Sequence, residues 1–213
     1  MNRFSHLIWD WNGTLFDDLD WCIDVINTML ERRELPTLKS RAEYHDAFCF
    51  PIIDYYKNVG FDFEKEPFSV LAEEYIRAYH AENSGGCKLH KGAEEALRTI
   101  NRRGISQTVL SASRSDNLAV QMSSFNISGY FDEVLGIRDI YAASKVGIGR
   151  EFMSRVRPEH ALVVGDSVHD FEVAQAIGAD CVLIASGHQS KSALKTCGVT
   201  VFDDISELAS VLF

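Results

Sequence analysis

Four separated stretches of the sequence carry side chains that could move a phosphoryl group. Asp10 follows the apolar run 6–9, Ser111 follows the run 105–110, and Asp166 comes just after the run 161–164. Lys145 opens a segment with helical periodicity, and Asp170 stands close behind Asp166. A phosphomonoester is an anion, so an anionic nucleophile approaches it only beside positive charge. A Mg²⁺ ion supplies that charge and takes a few carboxylate oxygens together with water and substrate phosphate. Asp10, Asp166 and Asp170 offer such oxygens. Each residue alone has a plainer reading, Asp170 as a helix cap and Lys145 as solvated surface. Their joint position at strand ends sets them apart, because open α/β sheets bind ligands outside the carboxyl ends of their strands.

For these residues to meet, the runs before them must share one sheet. The run 6–9 stops at Asp10 and a turn-like Trp11-Asn12-Gly13-Thr14. The character then changes. Leu19, Cys22, Ile23, Ile26, Met29 and Leu30 recur at helical spacing and predict a helix over 18–33, with Asp17 and Asp18 at the positive end of its dipole. Phe68, Leu71, Ala72, Tyr75, Ile76 and Tyr79 predict another over 67–82, with shorter segments at 39–47 and 51–59 between them. No alternating strand is evident in this region, which closes with Asn83-Ser84-Gly85-Gly86. Beyond it, helices expected at 93–104, 115–125, 145–156, 171–177 and 205–212 alternate with strands at 105–110, 133–135, 161–164, 181–184 and 199–202. That alternation predicts an α/β fold, a parallel sheet with helices on both faces, interrupted once after its first strand by a small helical module.

Composition narrows the classes of function. The 213 residues carry 21 basic and 31 acidic side chains, a net charge of −10. Sequence-independent nucleic-acid binding needs basic groups against phosphates, so no nucleic-acid partner is expected. A small phosphorylated substrate needs only a locally positive pocket. No run of roughly 18 apolar residues exists to span a membrane. The first ten residues reach an acid too soon to supply the apolar centre of a signal peptide. Cys22, Cys49, Cys87, Cys181 and Cys197 are odd in number, widely spaced and without a Cys-x-x-Cys pair, as expected of reduced thiols in a cytoplasmic protein. No feature of the sequence dictates an oligomeric state.

Taken together, Asp10-Trp11-Asn12-Gly13-Thr14, Ser111 after an apolar strand, Lys145, and Gly165-Asp166-Ser167-Val168-His169-Asp170 resemble the motifs of the haloacid dehalogenase superfamily of phosphohydrolases. The resemblance spans essentially the whole chain. Gly178-Ala179-Asp180 and Gly187-His188 are further similar to its phosphoglycolate-phosphatase-like branch. It implies a Rossmann-like core, residues 1–15 and 87–213, and an inserted helical cap, residues 16–86. It also implies an Mg²⁺-dependent phosphohydrolase of a small phosphorylated substrate. In such an enzyme Asp10 forms an aspartyl-phosphate that water hydrolyses, and Lys145 orients Asp10. Thr14, Ser111, Ala112 and Arg114 would contact the substrate, while Asp10, the main-chain carbonyl of Asn12, Asp166 and Asp170 would hold the metal.

Asn12 departs from the family pattern, which usually has a second Asp there to protonate the leaving oxygen and later activate water. An amide cannot give up and recover a proton, and losing such help costs roughly 10²–10⁴ in rate. Three readings stay open: substrates whose leaving group needs little protonation, such as acyl phosphates or anhydrides; another acid, with Asp17, Asp18 or a cap residue as candidates; or a weakened enzyme with a binding or regulatory role. A phosphonate hydrolase also lacks this Asp but needs a cap lysine, for which Lys39, Lys57 and Lys65 are available. Gly85, Gly86 and the segment 15–18 are expected hinges. Tyr44, Phe48, Phe50, Tyr55 and Tyr56 are expected to form a small core of the insert, and Arg114 and Lys57 are candidate anion contacts.

Overall fold

The computed structural model describes residues 4–81, 86–137 and 145–212. A six-stranded sheet has β1 (His6–Trp9), β4 (Ser106–Arg114), β5 (Glu133–Ile137), β6 (Ala161–Gly165), β7 (Asp180–Ile184) and β8 (Thr200–Phe202) in the order β5-β4-β1-β6-β7-β8. All neighbouring pairs are parallel, with Trp9 opposite Val109 on one side and Val164 on the other. The chain leaves β1 toward β4 and β5, then returns beside β1 at β6. The order therefore reverses between β1 and β6, where Asp10 and Asp166 follow the two strands.

Successive strand residues point to opposite faces, so an unbroken apolar run serves a sheet covered on both sides. Leu7, Trp9, Val109, Leu162 and Val164 pack on one face with Ala93, Ala96, Leu97 and Ile100 of α5 (Ala93–Arg102), Leu118 and Met122 of α6 (Ser115–Ser123), and Ile205 and Leu208 of α10 (Ile205–Leu212). Ile8, Leu110 and Val163 pack on the other with Phe152 of α7 (Val146–Val156) and Val173, Ala174 and Ile177 of α8 (Val168–Ile177).

The first four of the helices between β1 and β4 surround their own apolar cluster: α1 (Leu19–Glu31), α2 (Arg41–Ala47), α3 (Ile52–Asn58) and α4 (Phe68–Tyr79). Cys22, Ile26, Met29, Leu71, Tyr55 and Tyr56 are buried there. The sequence reading of this region missed one element. β2 (Phe16–Asp17) pairs antiparallel with β3 (Lys88–Leu89), and two residues a strand are too few to show alternation. The expected hinge at 15–18 is therefore hydrogen-bonded to the returning chain, including His90 N–H to Leu15 O at 2.9 Å. Of the expected linker only Gly86 lies within the described residues.

Other differences are local. The strand expected at 105–110 runs on to Arg114, with a register shift against β5 between Leu110 and Arg114. The helix expected at 171–177 begins at Val168, because Ser167 and Asp170 form a reciprocal capping box. A short helix α9 (Lys191–Lys195) and a 3₁₀ turn at Ser128–Tyr130 were not anticipated.

Candidate active site

Asp10 lies just beyond β1, its N–H bonded to Val164 O at 2.9 Å. Lys145, at the head of α7, is 3% exposed and donates to Asp10 Oδ1 and Asp170 Oδ1, both at 2.6 Å. Asp170 Oδ2 accepts from Asp166 N at 3.2 Å, Ser167 N at 3.0 Å and Ser167 Oγ at 2.6 Å. Asp166 accepts from Thr14 Oγ1 at 2.9 Å and from His188 N at 2.6 Å. Two glycines admit this carboxylate, since a Cβ at Gly13 or Gly187 would stand 2.3 or 2.2 Å from Asp166 Oδ2. Gly13 also has φ of 73°, a backbone state that disfavours any side chain.

Three carboxylate oxygens, one each from Asp10, Asp166 and Asp170, lie within 4.8 Å of one another. One ammonium faces three carboxylates, so the ionised cluster keeps surplus negative charge out of water. Burial pushes Asp10 up to about 8, with Asp170 adding to the shift and Lys145 opposing it. Burial pushes Asp166 up to about 6, with His188 opposing and Asp170 adding. Asp170 stays low, since Lys145 and Ser167 outweigh its burial. A surplus of hard oxygen donors in a buried place fits a small divalent cation such as Mg²⁺.

A second cluster borders the first. Asn12 Nδ2 donates to Asp18 Oδ2 at 2.8 Å and to Tyr79 Oη at 2.9 Å, and Asn12 Oδ1 accepts from Ser113 Oγ at 2.7 Å. Tyr79 donates to Asp18 Oδ2 at 2.5 Å, Gly13 N to Asp18 Oδ1 at 3.1 Å, and His188 Nε2 lies 3.2 Å from Asp18 Oδ1. Tyr44 Oη joins His188 Nδ1 at 2.9 Å. Burial opposes the charge of both partners, yet His188 holds Asp18 down to about 2 and Asp18 lifts His188 up to about 9. From the sequence, Asp18 stood at the dipole of α1 and as a candidate substitute acid, and His188 only in the Gly187-His188 phrase that resembles the phosphoglycolate-phosphatase-like branch. The Asp18 side chain makes no cap bond to α1 and turns to Asn12 and His188 instead.

The remaining expected residues divide. Ser111 and Ala112 line the cleft at the end of β4, where Ser111 Oγ accepts from Ser113 N at 3.0 Å. Thr14, expected to cradle phosphate, is fully buried behind the wall and holds Asp166. Arg114 reaches the rim, but both arms of its guanidinium bind Asp116, at 3.1 and 2.5 Å. Asp17 pairs through its backbone with Lys88 in the β2–β3 ribbon and is not among the residues that line the cleft. Lys57 pairs with Asp54, Lys65 with Asp62, and Lys39 binds Thr37. Lys145 is the one lysine among the described residues lining the cleft, so no cap lysine stands ready for imine chemistry. Tyr55 and Tyr56 are core, whereas Phe48 and Phe50 also face the cleft.

Residues 7–184 match the family model described as haloacid dehalogenase-like hydrolase. No curated protein matches the chain significantly. Solved structures share the fold at low identity. A predicted phosphatase from Clostridium acetobutylicum is 18% identical with a TM-score of 0.81, covering 97% of both chains. A predicted phosphoglycolate phosphatase from Haemophilus somnus is 17% identical with a TM-score of 0.80, covering all of both chains. Protein Tyrosine Kinase A of Mycobacterium tuberculosis is 22% identical with a TM-score of 0.80, covering 98% of both. Likeness at this level establishes the fold alone. Among the described residues no helix is long and apolar enough to cross a membrane.

Proposed function

Because the chain belongs to the haloacid dehalogenase-like hydrolase family, we propose that it is an Mg²⁺-dependent phosphohydrolase of a small phosphorylated metabolite, with Asp10 as nucleophile. The observation that carries this reading is the convergence of Asp10, Asp166 and Asp170 with Lys145 in one buried cluster at the edge of the sheet. An Asp10 oxygen forms a bond to phosphorus as the ester P–O bond breaks, and the leaving oxygen departs with its electron pair. Water then attacks the aspartyl-phosphate, giving inorganic phosphate and restoring the carboxylate. Lys145 aims Asp10 and opposes the effect of its burial, and Mg²⁺ bound beside it would favour the ionised carboxylate. Ser111, with the backbone at Ala112, meets the transferring phosphoryl oxygens. Thr14 and His188 N fix Asp166. Asp10, the Asn12 carbonyl, Asp166 and Asp170 would hold Mg²⁺, which supplies positive charge against the phosphoryl oxygens.

Asn12 cannot act as the general acid, and its hydrogen bonds to Asp18, Tyr79 and Ser113 hold it in place. That favours leaving groups that depart as weak bases. Residues 16–86 act as a cap over the core formed by 1–15 and 87–213, excluding water during the first step. The described cysteines are free, in keeping with a cytoplasmic setting.

The test is phosphate release from a panel of monoesters and acyl phosphates with and without Mg²⁺. The reading expects metal-dependent release that Asp10→Asn abolishes. Release that persists in Asp10→Asn would overturn it. The same fixed amide supports a second reading, a binding or regulatory protein, which expects no release by the native chain and a gain in Asn12→Asp.

A further inference from the structure

We infer that the site takes phosphate monoesters of aromatic alcohols. The inference rests on the phosphohydrolase reading and adds the chemistry of the leaving group. The insert presents Phe48, Phe50, Ile52, Tyr75 and Ile76 to a cleft that Asp10 and Ser111 also line. Phe50 stacks on His169 with ring centres 4.8 Å apart, and Phe48 on His188 at 5.3 Å, each pair 29° from parallel. Two ring pairs thus join insert and core along the cleft wall.

Among the described residues, no Lys or Arg of the insert lines this wall. The cations contributed by the core are already committed, Lys145 to Asp10 and Asp170, Arg114 to Asp116, and His188 to Asp18. His80 at the rim is pulled below the ordinary imidazole value by burial, toward its neutral form. The wall offers little to a second anionic group such as the carboxylate of phosphoglycolate.

The fixed Asn12 amide has no proton to give the departing oxygen. A phenol ionises near pH 10, as tyrosine does, whereas the hydroxyl of water, a guide to simple alcohols, ionises at about 15.7. Phenolate therefore leaves without help that an alkoxide needs. An acyl phosphate meets this requirement but leaves the apolar wall uncovered. A cycloalkyl phosphate covers the wall but leaves as a strong base. An aryl phosphate meets both demands.

Four substrates separate the two demands: 1-naphthyl phosphate, cyclohexyl phosphate, acetyl phosphate and phosphoglycolate, assayed with Mg²⁺. The expected kcat/KM is highest for naphthyl phosphate, by roughly ten- to hundred-fold over phosphoglycolate, the scale on which burying one ring changes affinity. Asn12→Asp should narrow the gap between naphthyl and cyclohexyl phosphate. Phe50→Ala should lower turnover of naphthyl phosphate at least several-fold more than that of acetyl phosphate. Calorimetry with naphthylmethylphosphonate and phosphonoacetate reads the same preference without turnover. Tighter binding of the naphthyl compound with no hydrolysis of any substrate would sink the hydrolase reading and leave the aromatic site standing. Phosphoglycolate turned over as well as naphthyl phosphate, or phosphonoacetate bound as tightly as the naphthyl compound, would overturn the inference while hydrolysis stands. Binding of neither phosphonate would also overturn it.

Discussion

Two groups of buried ionisable side chains lie side by side under one cleft, and the cost of burial is compensated in one and not in the other. Asp10, Asp166, Asp170 and Lys145 keep an excess of negative charge, and burial lifts Asp10 and Asp166 well above the ordinary carboxylate range. Asp18 and His188 balance each other, and Tyr79, Asn12, Gly13 and Tyr44 supply their hydrogen bonds. Asp18, Cys22 and His188 also converge as a metal site would. Yet both His188 nitrogens are engaged, and burial raises the Cys22 thiol, keeping it protonated. Convergence of ligand-type residues is thus not enough to define a cation site. The unbalanced cluster calls for a dication, while the balanced one joins insert to core and holds Asn12.

The comparison breaks most visibly in activity. Asp166→Ala should lower turnover on the order of 10³-fold or more and remove any rise in melting temperature caused by Mg²⁺. Asp18→Ala should keep that Mg²⁺-dependent rise. Equal loss of the rise in both variants, read by thermal melts across a Mg²⁺ titration, would erase the distinction.

Stability comes next. Lys145→Met and His188→Leu each leave buried carboxylate charge uncompensated, at a cost of about 3–5 kcal/mol. Mg²⁺ should recover part of the loss in Lys145→Met and none in His188→Leu, as denaturant midpoints would report.

Asn12→Asp sharpens the boundary between the clusters. The new carboxyl would face Asp18 across a contact of 2.8 Å, so like-charge repulsion favours its protonated form. Turnover of monoesters with poor leaving groups should rise, by up to about 10²-fold. A pH profile of kcat/KM would show a new limb on the alkaline side where that acid ionises.

The smallest effect lies outside both clusters. Arg33 bridges Glu66 and Glu74, each at 2.6 Å, and holds both carboxyls below their usual range. Depressed acids stabilise the fold above the ordinary carboxylate range, and that contribution fades as pH falls through their lowered values. The groups are partly exposed and screened, so Arg33→Met should cost about 1 kcal/mol or less near neutrality, with a shallower acid limb in melts across pH.

The first cluster was legible in the sequence because each member stands at a strand end or a helix head, positions that hydrophobic patterning locates. The second was not. It joins positions 12, 18, 44, 79 and 188 through the closure of insert on core, a relation that no spacing encodes. Asp18 has a sufficient local reading at a helix start, and a lone histidine after a glycine carries no periodic signal. Tyr55 and Tyr56 were rightly read as core. Phe48 and Phe50 fall between α2 and α3, where helical periodicity does not set their direction, so their place on the cleft emerged only with the fold. Thr14 was assigned to substrate because it closes the first motif, but its hydroxyl points back to Asp166.

The central claim is that Asp10 takes the phosphoryl group. Turnover with Mg²⁺ and an aryl phosphate, quenched in acid and mapped by peptide mass spectrometry, tests it most directly. The account predicts one phosphoryl group on the peptide carrying Asp10, absent from Asp10→Asn and discharged on further incubation. A phosphoryl group on a different peptide, with the peptide carrying Asp10 unmodified, would contradict it.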